Sequence, residues 1–270
     1  MPITEPAALK KSVILSLVRS VEQAAKKGQP FDHFYMQNCF PQDLYSQILA
    51  KLPDAFINAH LNHPDALTAG GKSTRKFFEL SEASLSALDR HLQDFWLAIS
   101  QALLSPEVHR AIFSKLSGDL CRRFNVTEKE LLELCVYPRA GIFCDLPGYR
   151  IRPHPDNPVR FVTVQFYLPI DDSQRDFGTS IYKILKLRSY WNRLRGIKDD
   201  LKQYREVKRF PFMPNSGYAF AVSDKSYHGR PVIEGQASLR KSILLVYYDR
   251  PGVGYDALPA GDQTAATGEY

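Results

Sequence analysis

The sequence predicts an α+β protein, with a helical first half followed by an antiparallel β-sandwich or barrel. Three observations carry this. Up to about residue 117, apolar residues recur at three- and four-residue intervals. Beyond about residue 130 the chain breaks into short runs rich in β-branched and aromatic residues, separated by turn formers. No regular helical pattern alternates with those runs, which argues against a doubly wound parallel sheet.

Helices are expected over residues 6–27, 41–52, 80–104 and 106–117. The first holds an apolar stretch at 12–18 after Lys10 and Lys11. Arg19 and Glu22 interrupt it, and Val13, Leu17 and Val21 follow helical spacing, so an amphipathic helix is preferred to a signal peptide. In the third, Leu85, Leu88, Leu92, Phe95, Trp96 and Ile99 share one face. The polar stretch 60–74, with Gly70-Gly71 inside it, reads as a loop. Strands are expected over 133–137, 160–168, 179–182, 217–222 and 239–248, with turns at 147–148, 171–173 and 214–217. Residues 183–209 break the pattern, with ten Lys or Arg against three acids and Leu185, Tyr190, Trp191, Leu194 and Leu201 interleaved. This reads as a basic helical insertion between strands, either a solvated face or a lid and recognition surface for an anionic substrate. The tail from Pro251 is expected to fray.

With 270 residues, 44% hydrophobic and 24% charged, the chain can bury a sizeable core and is not globally disordered. A single domain is expected: 1–129 as mainly helical support, 130–250 as the β core with 183–209 inserted, and 251–270 as tail. The formal net charge of +6 leans toward anionic partners but is too mild to name nucleic acid or membrane. No apolar run approaches the roughly 18 residues that a membrane span needs. Cys39, Cys121, Cys135 and Cys144 form no C-x-x-C pair, so neither a zinc ribbon nor a disulfide framework is expected. Reduced, mostly buried thiols in a cytoplasmic protein fit better.

The chemistry centres on Arg152-Pro153-His154-Pro155-Asp156, just before the apolar run that starts at Phe161. Residues two apart on an extended chain face the same way, so His154 and Asp156 can reach one metal ion. His63-Pro64-Asp65 has the same three letters, but it sits in a polar, glycine-containing loop with no strand after it and is set aside. A downstream strand delivers His228, 74 residues after His154. Two histidines and a carboxylate can occupy one face of an octahedral iron(II) and leave positions open. Zinc takes similar ligands but favours tetrahedral closure and hydrolysis. Twelve residues beyond His228 stands Arg240, with Ser242 two further on, at the start of an apolar strand. An arginine facing a sheet interior needs an anionic partner, and its planar fork suits a carboxylate. Ser242 faces the same way and can donate to that carboxylate. His33, His60, His91 and His109 have no partner at metal spacing and read as surface or satisfied core histidines. Arg150, Arg152 and Arg160 flank the metal motif, either pairing with loop acids or gripping a substrate carboxylate or phosphate.

H-x-D, a distal His and R-x-S on the next strand together resemble the 2-oxoglutarate and iron(II)-dependent oxygenases, in detail their prolyl-hydroxylase-like branch. The stretches Gln165-Phe166-Tyr167-Leu168-Pro169, Gly178-Thr179-Ser180-Ile181-Tyr182 and Pro30-Phe31-Asp32-His33-Phe34-Tyr35 are similar to that branch as well. The resemblance implies a double-stranded β-helix (jelly-roll, cupin-like) core. It implies iron on His154, Asp156 and His228, with Arg240, Ser242 and Tyr167 on the 2-oxoglutarate cosubstrate, and a structural role for Tyr167 stays open. The implied reaction couples dioxygen and decarboxylation of 2-oxoglutarate, giving succinate and carbon dioxide, to hydroxylation of a substrate. Related halogenases carry Gly or Ala in place of the carboxylate, so Asp156 implies oxygen transfer. Desaturation, ring closure and epimerisation use the same ligands and stay open. A covered site favours a small-molecule substrate, anionic or presented on a carrier, such as an amino acid, nucleotide or natural-product intermediate. The alternatives are a protein or peptide hydroxylase and a non-catalytic cupin-like metal-binding module; the latter leaves Arg240 and Ser242 unexplained.

Overall fold

Leu9, Val13, Leu17 and Val21 stand four residues apart, and in the computed structural model they form the buried stripe of α1 (Pro6–Gln23). The structure describes residues 5–53, 73–195, 201–231 and 238–253. Pro6 opens α1, where a missing N–H costs nothing. The buried stripe meets α4 (Arg90–Leu103) and α5 (Pro106–Lys115), following α2 (Gln42–Ala50) and the single turn α3 (Glu82–Leu85). Trp96, Ile99, Ala102, Leu103, Ile112 and Phe113 join the same core. Two short helices complete this half, α6 (Ser117–Phe124) and α7 (Glu128–Glu133), and α8 (Lys186–Leu194) comes later.

Among the described residues, ten strands form two antiparallel sheets. They are β1 (His33–Gln37), β2 (Arg75–Glu79), β3 (Tyr137–Asp145), β4 (Ile151–His154), β5 (Arg160–Tyr167), β6 (Ser180–Ile184), β7 (Tyr204–Arg209), β8 (Ser216–Ala221), β9 (His228–Arg230) and β10 (Arg240–Tyr248). The larger sheet has the order β1-β8-β5-β10-β3-β2 and the smaller β4-β9-β6-β7. Alternation along β10 shows how the larger sheet serves two environments. Ile243, Leu245 and Tyr247 pack into the helical core, while Leu244, Val246 and Tyr248 form a separate cluster with Phe143 on the other face. That second face, which also carries Arg240 and Ser242, looks toward the smaller sheet and holds the site.

Several expectations need correction. The helix expected over 80–104 is two pieces, because the Ser86 hydroxyl donates to the Ala83 carbonyl and Asp89 opens α4 as its N-cap. No strand occupies 133–136. The Thr127/Glu130 capping box starts α7 there, and the strand runs instead from Tyr137. The first half is not purely helical: β1 pairs with β8 and β2 with β3, so each supplies an edge of the larger sheet. The basic segment is only partly helical. After α8 it returns as β7, paired antiparallel with β6. Gly70-Gly71, the His63-Pro64-Asp65 copy, His60 and the chain beyond 253 lie outside the described residues. The four cysteines are free, with Cys39 and Cys144 buried, Cys121 half-buried and Cys135 exposed. Among the described residues no helix is long and apolar enough to cross a membrane.

Candidate metal centre

The 74-residue separation of His154 and His228 is closed by strand register: β4 pairs with β9, and the two histidines are direct Cα partners. Their rings lie 4.6 Å apart. The close approach depends on Gly229, where a Cβ would sit 2.7 Å from the Ile151 carbonyl oxygen and 2.9 Å from that of Arg152. Asp156 follows on the loop toward β5, with Oδ1 3.9 Å from His228 Nε2. One ligand atom from each of the three residues falls within 4.8 Å of the others.

Each ligand is held by its neighbours. His154 Nδ1 lies 2.7 Å from the Arg152 carbonyl and His228 Nδ1 lies 3.0 Å from the Ser226 carbonyl. A carbonyl can only accept, so Nδ1 donates in both rings, and Nε2 is the nitrogen that would face a metal. Asp156 accepts from Arg160 Nη1 at 2.7 Å and from Thr163 Oγ1 at 2.6 Å, one on each oxygen. Burial would raise its carboxyl, but the Arg160 guanidinium, the two imidazoles and the Thr163 hydroxyl hold it well below the usual carboxylate range. From the helical side Arg123 donates to the carbonyls of Pro158, Arg160 and Val222, tying the Asp156 loop to the end of β8.

A second polar cluster lies along the same interior. Arg240 is 1% exposed, donating from Nε to the Phe177 carbonyl at 2.7 Å and from Nη1 to Asp145 Oδ2 at 2.7 Å. The anionic partner that the sequence demanded is therefore present in the chain itself. Burial, the largest single influence, would lower the Arg240 pKa, but Asp145 together with Tyr167 and Tyr218 outweighs it and the net shift is upward. Nη2 makes only long contacts, 3.3 Å to Thr179 Oγ1 and 3.5 Å to Gln165 Oε1. Gln165 is the hub: its Nε2 donates to Ser242 Oγ at 2.8 Å, and its Oε1 accepts from the Tyr218 hydroxyl at 2.9 Å. Tyr167 Oη accepts the Thr179 N–H at 3.0 Å. Ser242 and Tyr167 are thus acceptors in these bonds, and each keeps a hydroxyl proton to donate.

Asp145 also meets Arg75 Nε at 2.9 Å, a charge contact whose angle falls short of a hydrogen bond. Arg75 Nη1 donates to the Tyr149 hydroxyl at 2.7 Å, and Arg230 donates to the Tyr149 carbonyl. Burial, with Arg240 adding repulsion, pulls the Arg230 guanidinium down to about 10.

The expected residues therefore fall into two neighbouring groups, His154, Asp156 and His228 in one and Arg240, Ser242 and Tyr167 in the other. Of the flanking arginines, Arg160 serves Asp156, whereas Arg150 and Arg152 are exposed. His91 is exposed, His33 is buried with Nδ1 2.8 Å from the Phe31 carbonyl, and His109 stacks on Phe113 and Tyr247; none joins the His154–Asp156–His228 group. Thr163, Gln165, Asp145, Tyr149 and Arg230 escaped the sequence reading. For two of them a signal existed, since Thr163, Gln165 and Tyr167 are the alternate polar positions of an otherwise apolar strand.

No protein-family model matches the chain, and no curated protein matches it. Solved structures do. A prolyl hydroxylase from Trichoplax adhaerens, in complex with a hypoxia-inducible-factor oxygen-degradation-domain peptide, is 15% identical, covering 89% of this chain and 90% of its own at TM-score 0.46. A Pseudomonas putida prolyl-4-hydroxylase is 12% identical, with 88% and 99% covered and TM-score 0.48. The non-haem α-ketoglutarate-dependent epimerase SnoN of nogalamycin biosynthesis is 11% identical, with 92% and 93% covered and TM-score 0.49. With each of these TM-scores below 0.5, what this site can do is decided by its own side chains.

Proposed function

We propose that the chain is a 2-oxoglutarate- and iron(II)-dependent dioxygenase, one domain whose two sheets form a double-stranded β-helix, and that it hydroxylates an unactivated C–H bond of a small molecule. One observation supports this reading: the His154–Asp156–His228 set and the buried Arg240–Gln165–Ser242 cluster share a single interior. The donor set fits iron(II), with two imidazole nitrogens and one carboxylate oxygen presented and their second atoms held. A zinc hydrolase would use the same three ligands and give the second cluster no task.

His154 and His228 would hold the metal through Nε2, and Asp156 through a carboxylate that Arg160 and Thr163 keep ionised and fixed in rotation. Ser242, Tyr167 and the Nη2 edge of Arg240 would take the distal carboxylate of 2-oxoglutarate. The ring of Phe220, 4.6 Å from that of His228, limits water beside the ligand. When bound, iron with 2-oxoglutarate and dioxygen supplies the oxidising power, the cosubstrate leaving as succinate and carbon dioxide.

The basic segment points to an anionic substrate, small or carrier-bound. Residues 183–209 carry ten basic and three acidic side chains, a net +7, whereas the whole chain is +6. Its return strand borders the site, since Ile181 pairs with both His228 and Lys208. At about 4.8 Å per strand, Lys208 lies roughly 10 Å from the ligand-bearing strand. Leu185, Leu201 and Val207 are exposed among these cations.

Anaerobic iron(II) with 2-oxoglutarate should give a weak visible charge-transfer band that Asp156→Ala abolishes, and in air the loaded protein should form succinate without substrate. Absence of both 2-oxoglutarate binding and succinate would overturn the reading. For the substrate, reversing Lys202, Arg205 and Lys208 together should raise KM in a salt-dependent way; an unchanged KM would leave the segment as a solvated face.

A further inference from the structure

Arg230 has no part in the roles assigned above. It follows His228 by two residues on β9, so both side chains leave the same face of the strand and enter the interior. It is 2% exposed. Its guanidinium lies 5.3 Å from the centre of the Tyr149 ring, and that of Arg75 lies 4.7 Å from the same ring. Arg75 contacts one oxygen of Asp145, and Arg240 takes the other. Three guanidiniums from β2, β9 and β10 thus gather around Tyr149 and Asp145, beside the metal ligands. The turn Leu146–Tyr149, closed by the Tyr149 N–H on the Leu146 carbonyl at 3.1 Å with Gly148 at φ +86°, delivers Tyr149 into this group.

Arg240 alone is a poor acceptor site for a second carboxylate. Its Nε and Nη1 are held at 2.7 Å by Phe177 and Asp145, which leaves the Nη2 edge and not the two-pronged fork that grips a carboxylate. A dicarboxylate would also bring negative charge beside Asp145, which favours binding only where further cations face it. Arg230 supplies such a cation: its charge reaches both Arg240 and Asp145, while one of its amino groups donates to the Tyr149 carbonyl.

We propose that Arg230 is a second cosubstrate-binding guanidinium, which with Arg240 makes the site select 2-oxo dicarboxylic acids over 2-oxo monocarboxylic acids. This rests on the oxygenase reading. In it, Asp145 and Tyr149 are positioning residues: Asp145 fixes Arg240 and Arg75, and Tyr149 backs Arg230.

The test compares binding of 2-oxoglutarate and of 2-oxobutyrate, which keeps the keto acid and lacks the distal carboxylate. Calorimetry on the anaerobic iron(II)-loaded full chain reads both, without turnover. In wild type 2-oxoglutarate should bind more tightly. Arg230→Met should weaken 2-oxoglutarate by about 10- to 100-fold, the range for losing a charged hydrogen-bond partner, and leave 2-oxobutyrate nearly unchanged. Arg230→Lys, which keeps the charge but not the fork, should fall between. The ratio of the two affinities is internal to each variant, so a partly unfolded sample does not distort it; if the Met variant does not fold, the Lys variant must still shift the ratio. Equal weakening of both acids, or an unchanged ratio, overturns the proposal. A wild type that binds neither acid overturns the oxygenase reading itself.

Discussion

At one end of the interior, His154 and His228 each tie one ring nitrogen to a carbonyl of their own chain, and one ligand atom from each lies near Asp156. At the other end, Arg240 spends its two shortest bonds on Phe177 and Asp145. The first group is built to be completed from outside, whereas the second is largely neutralised within the chain and offers one edge. Two imidazoles and one well-held carboxylate can stand together without a further partner. A fully buried guanidinium cannot wait alone, because its desolvation would be unopposed. Substitutions at the two ends should therefore separate loss of chemistry from loss of fold.

The largest effect is expected at the metal end. Asp156→Ala should abolish metal binding, lowering succinate formation by more than about 100-fold, while circular dichroism shows the fold retained. At the arginine end the order reverses. Arg240→Met strands the Asp145 carboxylate, at a cost of about 3–5 kcal/mol in urea unfolding, the scale for breaking a buried pair. Unfolding within error of wild type would show that Arg75 alone neutralises Asp145. A milder change sharpens the contrast: Thr163→Val removes one of two bonds to Asp156, and metal affinity measured by competition should fall about 10- to 100-fold with the unfolding midpoint nearly fixed.

The smallest effect lies on the far side of the sheet and serves as a control. Burial lowers the His109 pKa from 6.5 to about 4, with Arg110 adding to it. The folded state thus favours the neutral ring, so this contribution to stability is complete above pH 6.5 and is lost as pH falls toward 4. His109→Phe, which keeps the stack on Phe113 and Tyr247, should flatten stability across that window. An unaltered slope would assign the acid sensitivity to other groups.

What the chain determined by itself was whatever depends on spacing within one element. The four-residue stripe of α1, the alternation along β5 and β10, the shared direction of His154 and Asp156, and of Arg240 and Ser242, follow from the pitch of a helix or the pleat of a strand. Short elements were harder: β1 and β2 are each five residues and become strands through pairing with β8 and β3, and the third helix breaks where the Ser86 hydroxyl bonds back to Ala83 and the backbone of Asp89 is extended. The tertiary structure alone decided what faces what across the interior. Asp145 lies 95 residues before Arg240, yet register makes them Cα partners, and Arg230 and Tyr149 meet them only because the smaller sheet closes over the larger. The physical reason is that a buried charge takes its partner from the space around it, which only the packed chain defines.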